Sequence, residues 1–210
     1  DIRLTNVSLI FNETKGLNNF SAVFKKGKKY LVVGESGSGK STLLNIISGM
    51  YDEYDGEVMI EDEELKQVER NSLSHLVSLA SQEVFLFNDT IRNNITLYRE
   101  YSDEQIHNVL KQCGLENLIQ ELPDGLDTLV GENGSNFSGG EKQRINLARA
   151  FIRDSKILLL DEVSANLDSV TTDFIERTVL ALVGKTVISV AHKMPEKLAE
   201  LYDEVIRVGV

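Results

Sequence analysis

The sequence has a single cysteine, Cys113, in 210 residues. One thiol excludes an internal disulfide framework and suits a reducing compartment. Positive charge is scarce. Lys and Arg number 22 against 33 Asp and Glu, a formal net charge of −11. So acidic a chain lacks the basic patch expected of a direct binder of nucleic acid or of an anionic membrane. No apolar run approaches the roughly 18 residues of a membrane span. No signal peptide opens the chain, which starts at Asp1 without a methionine, so a piece of a longer protein is expected. There is no internal repeat or low-complexity tract. What is present is globular: 41% hydrophobic and 26% charged residues argue against disorder. The length suits one large domain, or one with an inserted subdomain.

The pattern alternates between strands and helices at both ends of the chain. Residues 2–11, 20–24, 56–60 and 76–80 read as strands, and the apolar run Tyr30-Leu31-Val32-Val33 as a strand buried on both faces. Residues 42–50 read as a helix with Leu43, Ile46 and Ile47 on one face. In the middle the character changes. Ser102 with Gln105, and Ser138 with Glu141, are capping-box pairs that open helices. Residues 115–122 read as a short helix stopped before Pro123. Alternation returns with a buried strand at 157–160, a helix at 171–183, a strand at 186–191, a short helix at 196–201 and a strand at 204–208. This implies an α/β sheet with a helical insertion over 93–154, the rest of the single domain being 1–92 and 155–210.

The sharpest motif is Gly34-Glu35-Ser36-Gly37-Ser38-Gly39-Lys40-Ser41, followed by Thr42. It fits G-x-x-x-x-G-K-[ST] and lies between an expected strand and an expected helix, the context such a phosphate-binding loop needs. Glycines let backbone N–H groups turn inward around phosphate oxygens, and the helix start adds its positive dipole end. Lys40 supplies a full charge for the phosphates, and the Ser41 hydroxyl can ligate Mg²⁺. The strand 157–160 ends in Asp161-Glu162. Ligands in open α/β sheets bind outside the carboxyl ends of strands, so Asp161 is suited to hold Mg²⁺ and Glu162 to accept a proton from an attacking water. Alone, acids at a strand end are commonplace; the upstream phosphate loop gives these two a meaning.

These residues resemble the nucleotide-binding domain of ATP-binding cassette (ABC) transporters. The segment Phe137-Ser138-Gly139-Gly140-Glu141 resembles the family's L-S-G-G-Q signature. Read by itself, Ser138 is a helix cap and the glycines leave N–H groups open, so this helix start is a second anion site. Residues 81–92, with Gln82, resemble the Q-loop region of exporters; residues 128–134 resemble the exporters' extra loop before the signature. Ser164-Ala165-Asn166-Leu167-Asp168 resembles the D-loop, His192 the switch histidine, and Phe11 the aromatic that stacks on adenine. Glu141 departs from the usual Gln, Phe137 from Leu and Phe11 from the commoner Tyr. The likeness spans essentially the whole chain and is closest to bacterial peptide and multidrug exporters. The family usually continues beyond the point where this chain stops, so a missing tail is expected.

The resemblance implies a P-loop NTPase fold: a mainly parallel core sheet, an antiparallel β subdomain and an inserted helical subdomain. It implies ATP and Mg²⁺ as cofactors. Residues 34–42, Phe11 and Gln82 would contact ATP; Ser41, Gln82 and Asp161 would hold the metal; Lys40, Glu162 and His192 would be catalytic. Ser138, Gly139, Gly140 and Glu141 would meet the ATP of a second such domain in a head-to-tail dimer, with Asp168 in the D-loop. Transmembrane domains would be the other partners, nucleic acid would not, and the domain would sit at the cytoplasmic face of the cell membrane. A non-transport ABC protein switching nucleic acid or ribosomes is the alternative, disfavoured by the acidic charge. A degenerate module that binds without hydrolysis is disfavoured by Glu162 and His192. His75 and His107 read as surface residues, Cys113 as a small buried hydrophobe, and Glu61-Asp62-Glu63-Glu64 as a solvated turn.

Overall fold

A computed structural model describes residues 1–12, 15–164, 167–191 and 196–209. In chain order, β1 (Ile2–Asn12), β2 (Lys15–Phe24) and β3 (Lys29–Val33) precede α1 (Lys40–Ile47). Then come β4 (Asp55–Ile60), β5 (Glu63–Glu64), α2 (Arg70–Leu76) and β6 (Val77–Ala80). Next are α3 (Ile91–Thr96), α4 (Asp103–Gln112), α5 (Glu116–Glu121) and α6 (Gly139–Phe151). The chain returns through β7 (Ile157–Asp161), α7 (Ser169–Leu180), β8 (Thr186–Val190), α8 (Glu196–Ala199) and β9 (Glu204–Arg207).

Two sheets form. One runs β2-β1-β4-β5, with β1 antiparallel to both β2 and β4. The other runs β6-β7-β8-β3-β9, with the β7–β8, β8–β3 and β3–β9 ladders parallel. The expected parallel core sheet and antiparallel β subdomain are therefore both present. One hydrophobic core unites them around α1. It holds Leu4 and Phe24 from the antiparallel sheet, Leu43, Leu44, Ile46 and Ile47 from α1, and Tyr30, Val32, Leu159 and Ile188 from the parallel sheet. The opposite face of β3 is buried too, with Leu31 against Ala191 and Tyr202. Each such fully buried Leu or Ile contributes about 2 kcal/mol. The loop between β3 and α1 is thus strung between two elements that are both anchored in the core.

By contacts the chain divides into two compact units. The first comprises Asp1–Leu79, Ser155–Glu162 and Leu180–Val210; the second comprises Ala80–Asp154 and Val163–Val179. The second unit thus starts earlier than the expected residue 93. Within this unit α6 holds residues 81 and 85 by side-chain bonds. Both capping boxes form as read: Ser102 with Gln105 opens α4, and Ser138 with Glu141 opens α6. The helices α2 and α3 carry weak sequence signals. α2 buries only Leu73 of its apolar residues, and α3 (IRNNIT) is β-branched and Asn-rich, types that disfavour helix interiors. A cap at Thr90 starts α3, and Leu97 in the left-handed region ends it. α7 stops at Leu180, short of the expected 183, and Val183 is fully exposed.

Candidate functional site

In the first unit, β3 delivers the chain into the loop at residues 34–39. Ser38 N–H closes a turn on the Glu35 carbonyl at 3.2 Å, with Gly37 at φ 82 in the third position, where a side chain would be strained. Gly39 stands at φ 97 as the N-cap of α1 and gives no side-chain cap, so the first N–H groups of α1 stay open toward the loop. Its lack of a Cβ is also a packing need. A Cβ there would lie 2.5 Å from the Gly16 carbonyl oxygen. On the other side, a Cβ on Gly34 would lie 2.4 Å from the Val208 carbonyl oxygen. The loop is therefore braced by backbone from β2 and from the residues that follow β9. Neither brace was legible in the sequence, since Gly16 and Val208 carry no motif; only the fold brings them to the loop.

Lys40 is buried, and its Nζ donates to the Gly34 and Glu35 carbonyls at 2.9 and 2.7 Å. The Ser38 hydroxyl is buried without a hydrogen-bond partner, close to the Gly34 backbone. Beside the loop, β7 ends at Asp161, whose carboxylate lies within the influence of the Ser41 hydroxyl. Asp161 is 7% exposed, and its Oδ1 is buried with no hydrogen-bond partner. Burial holds its carboxyl above the usual carboxylate range. The Ser41 hydroxyl opposes that rise, the Glu162 charge adds to it, and the Lys40 charge opposes it. An orphaned carboxylate oxygen beside a hydroxyl is a hard-oxygen pair that fits Mg²⁺ completed by phosphate oxygens. No group of three or more His, Cys, Asp or Glu among the described residues could hold a metal alone.

Because Asp161 titrates higher folded than unfolded, its ionised form costs stability. That cost is present at neutral pH, begins to fall as pH drops through the folded value and is gone below the unfolded one. Asp161→Asn is accordingly expected to stabilise the metal-free domain at pH 7 by about 1 kcal/mol while removing any stabilisation by Mg-ATP. Thermal melts with chelator and with Mg-ATP check both halves; a variant that still gains from Mg-ATP contradicts the assignment.

Glu162 follows at φ 49, a left-handed conformation uncommon for a glutamate, held by its N–H donating to the Val190 carbonyl at 3.0 Å. Strain of this kind costs on the order of 1 kcal/mol and clusters at functional sites. Phe11 is half-exposed and meets Tyr51 at a ring-centroid distance of 5.3 Å and a tilt of 58°. An aromatic with one side backed and another open is a stacking platform. Tyr51 was not singled out in the sequence; the only signal is an aromatic shortly after α1. His192 lies outside the described residues, as do Ala165 and Asn166 of the D-loop-like segment.

The second unit carries Gln82, the signature-like segment and Asp168. Ser138 Oγ accepts from Glu141 N–H at 3.3 Å, and Glu141 Oε2 accepts from Ser138 N–H at 2.7 Å. The carboxylate of Glu141 is thus engaged in capping α6. A Cβ on Gly139 would meet nothing within 4 Å, so this helix start is open. Asp168 accepts from the N–H groups of Val170 and Thr171 and from the Thr171 hydroxyl, which caps the start of α7. Its carboxyl is held below the usual range chiefly by that hydroxyl. Residues 128–130 pair with 89–91 through the Ile91–Thr128 and Val130–Asp89 backbone bonds. Gln82 is exposed in the irregular stretch after β6.

A family model described as ABC transporter matches residues 17–165, from β2 through the phosphate loop, the signature-like helix and the Asp161-Glu162 strand. The chain belongs to the ABC transporter family. It is 36% identical over 197 residues to an ATP-dependent lipid A-core flippase of Francisella tularensis subsp. holarctica (strain OSU18), covering 92% of this chain and 32% of that protein. It is 40% identical over 199 residues to the mitochondrial iron-sulfur clusters transporter ATM1 of Candida albicans (strain SC5314 / ATCC MYA-2876), covering 92% of this chain and 26% of that one. Its fold superposes on a bacterial Atm1-family ABC exporter solved with ATP bound, at a TM-score of 0.91 and 32% identity, over 99% of this chain and 37% of that chain. The chain thus spans about a third of the length of the relatives it matches. Its fold and motif order are those of the nucleotide-binding ATPase domain of ABC exporters. No helix among the described residues is long and apolar enough to cross a membrane.

Proposed function

We propose that this ABC domain binds and hydrolyses Mg-ATP to drive export across a membrane, working from the cytoplasmic face beneath transmembrane partners. The observation that carries the reading is the meeting of the braced phosphate loop with the Ser41–Asp161 pair at the end of β7. In this reading the loop N–H groups and Lys40 bind the phosphates, and Phe11 stacks on the base. Ser41 and Asp161 orient the metal, and Gln82 joins them as a ligand in this reading. Mg²⁺, when bound, offsets phosphate charge and polarises the phosphoryl group under attack. Glu162 takes the proton of the attacking water, and His192 serves the γ-phosphate in this reading.

The open start of α6 keeps its one nearby lysine engaged elsewhere, since Lys142 Nζ donates to the Asn133 carbonyl at 3.0 Å. It therefore completes a site rather than making one, which supports a head-to-tail dimer in which Ser138, Gly139 and Gly140 of one domain close over the ATP of another. Glu141 tied back into its cap, and Asp168 of the D-loop-like segment, belong to the same dimer face in this reading.

The protein carries a net charge of −11, so the phosphate site depends strongly on the cation. Nucleotide affinity measured with Mg²⁺ and with chelator is expected to differ at least about tenfold in favour of Mg²⁺. Equal affinities under the two conditions contradict the metal role of Ser41 and Asp161.

A further inference from the structure

Residues 81–88 form no helix and no strand ladder of their own. Their backbone polar groups need partners all the same. Two side chains of α6 provide one each. Asn146 Nδ2 donates to the Ser81 carbonyl at 2.9 Å. Arg149 Nη1 donates to the Phe85 carbonyl at 2.8 Å. The same guanidinium reaches α3, with Nε on the Asn94 carbonyl at 2.7 Å and Nη2 on Asn94 Oδ1 at 3.0 Å. Asn94, fully buried, passes the grip on: its Oδ1 accepts from Phe87 N–H at 2.8 Å, and its Nδ2 donates to the Phe87 carbonyl at 3.0 Å. Asn146 itself is 5% exposed.

The geometry points to a role for these bonds. Asn146 and Arg149 stand three residues apart and share one face of α6. Their acceptors, Ser81 and Phe85, lie on either side of Gln82 in the chain. The far end of the same helix is the Ser138 capping box. We infer that Asn146 and Arg149 are positioning residues for Gln82: they fasten the segment that carries it to the helix that presents Ser138, so that the two travel as one body. This rests on the reading of Gln82 as a metal ligand and adds what sets its position. Neither side chain touches the reacting atoms in this account. A planar fork spans the Phe85 and Asn94 acceptors together, and a lysine cannot do the same.

The test is a double-mutant cycle on the full-length protein with its membrane partners in lipid vesicles, with ATPase rate followed against Mg²⁺ concentration. Gln82→Ala is expected to raise the Mg²⁺ concentration at half-maximal rate about tenfold. Asn146→Ala and Arg149→Lys are expected to raise it in the same direction by several-fold, and to add nothing further in the Gln82→Ala background. Asn146→Ser, smaller and still polar, serves if Asn146→Ala does not assemble. A lowered melting temperature with an unchanged Mg²⁺ response means a structural role alone and overturns the inference. So do effects that multiply in the Gln82→Ala background. If Gln82→Ala by itself leaves the Mg²⁺ response unchanged, the metal role of Gln82 falls, and the positioning role falls with it. That outcome is told apart from the others by the single variant.

Discussion

Glu162→Gln is expected to stop turnover while leaving Mg-ATP bound. The amide keeps the size and shape of the side chain but cannot accept the proton of the attacking water. Removing such a base lowers kcat by about 10²- to 10⁴-fold. Lys40, Ser41 and Asp161 are untouched by the change, so nucleotide affinity should hold and the ATP-bound dimer should accumulate. Phosphate release gives the rate, and size-exclusion chromatography of the protein with Mg-ATP gives the dimer. The backbone at Glu162 is left-handed, at φ 49, and its N–H bond to Val190 does not involve the side chain. A melting curve without nucleotide checks that the variant keeps the fold. A turnover rate within a factor of about two of the parent removes Glu162 from the role of base.

Lys40→Ala is expected to act one step earlier. It removes the only full positive charge that the loop motif places against the phosphates. A charge-assisted hydrogen bond is worth about 1.5–3 kcal/mol, so the loss of nucleotide affinity should reach roughly tenfold to a hundredfold or more. The substitution also takes donors from the Gly34 and Glu35 carbonyls. A melting curve without nucleotide separates the two consequences. Modest destabilisation with a large affinity loss fits the proposal; unchanged affinity sinks it.

The strong signals in the sequence were those in which chemistry is local. The turn and helix start at residues 34–42 need glycines and a lysine in a fixed order, so a linear reading suffices. The capping boxes at Ser102 and Ser138 are likewise complete within four residues, and both form. The apolar run of β3 announced a strand buried on both faces, and both faces are buried. What escaped the sequence is what distant backbone supplies. Gly16 and Val208 brace the loop from β2 and from beyond β9, and no spacing rule connects them to it. Tyr51 backs Phe11 only once β1 and the end of α1 converge. The second unit starts at residue 80, and within it residues 81 and 85 are held by Asn146 and Arg149, polar residues on a helix whose apolar face alone was read. Likewise α3 is secured by the Thr90 cap and the Asn94 network rather than by propensity.

The place of β3 in its sheet bears on biosynthesis. Its two neighbours are β8 and β9, and both come from the far end of the chain. The bond from Gly27 to Thr186 spans 159 positions, and that from Lys28 to Asp203 spans 175. A nascent chain emerging from the ribosome therefore makes the phosphate loop early and cannot seat it until β8 and β9 have followed. Closing so long a connection is entropically slow, and the unpaired edges of β3 stay exposed to other chains meanwhile. ATP binds only the seated loop in this account. Acquisition of nucleotide binding would then mark the last stage of the domain's synthesis, and cellular ATP would draw newly finished chains toward the folded state by mass action.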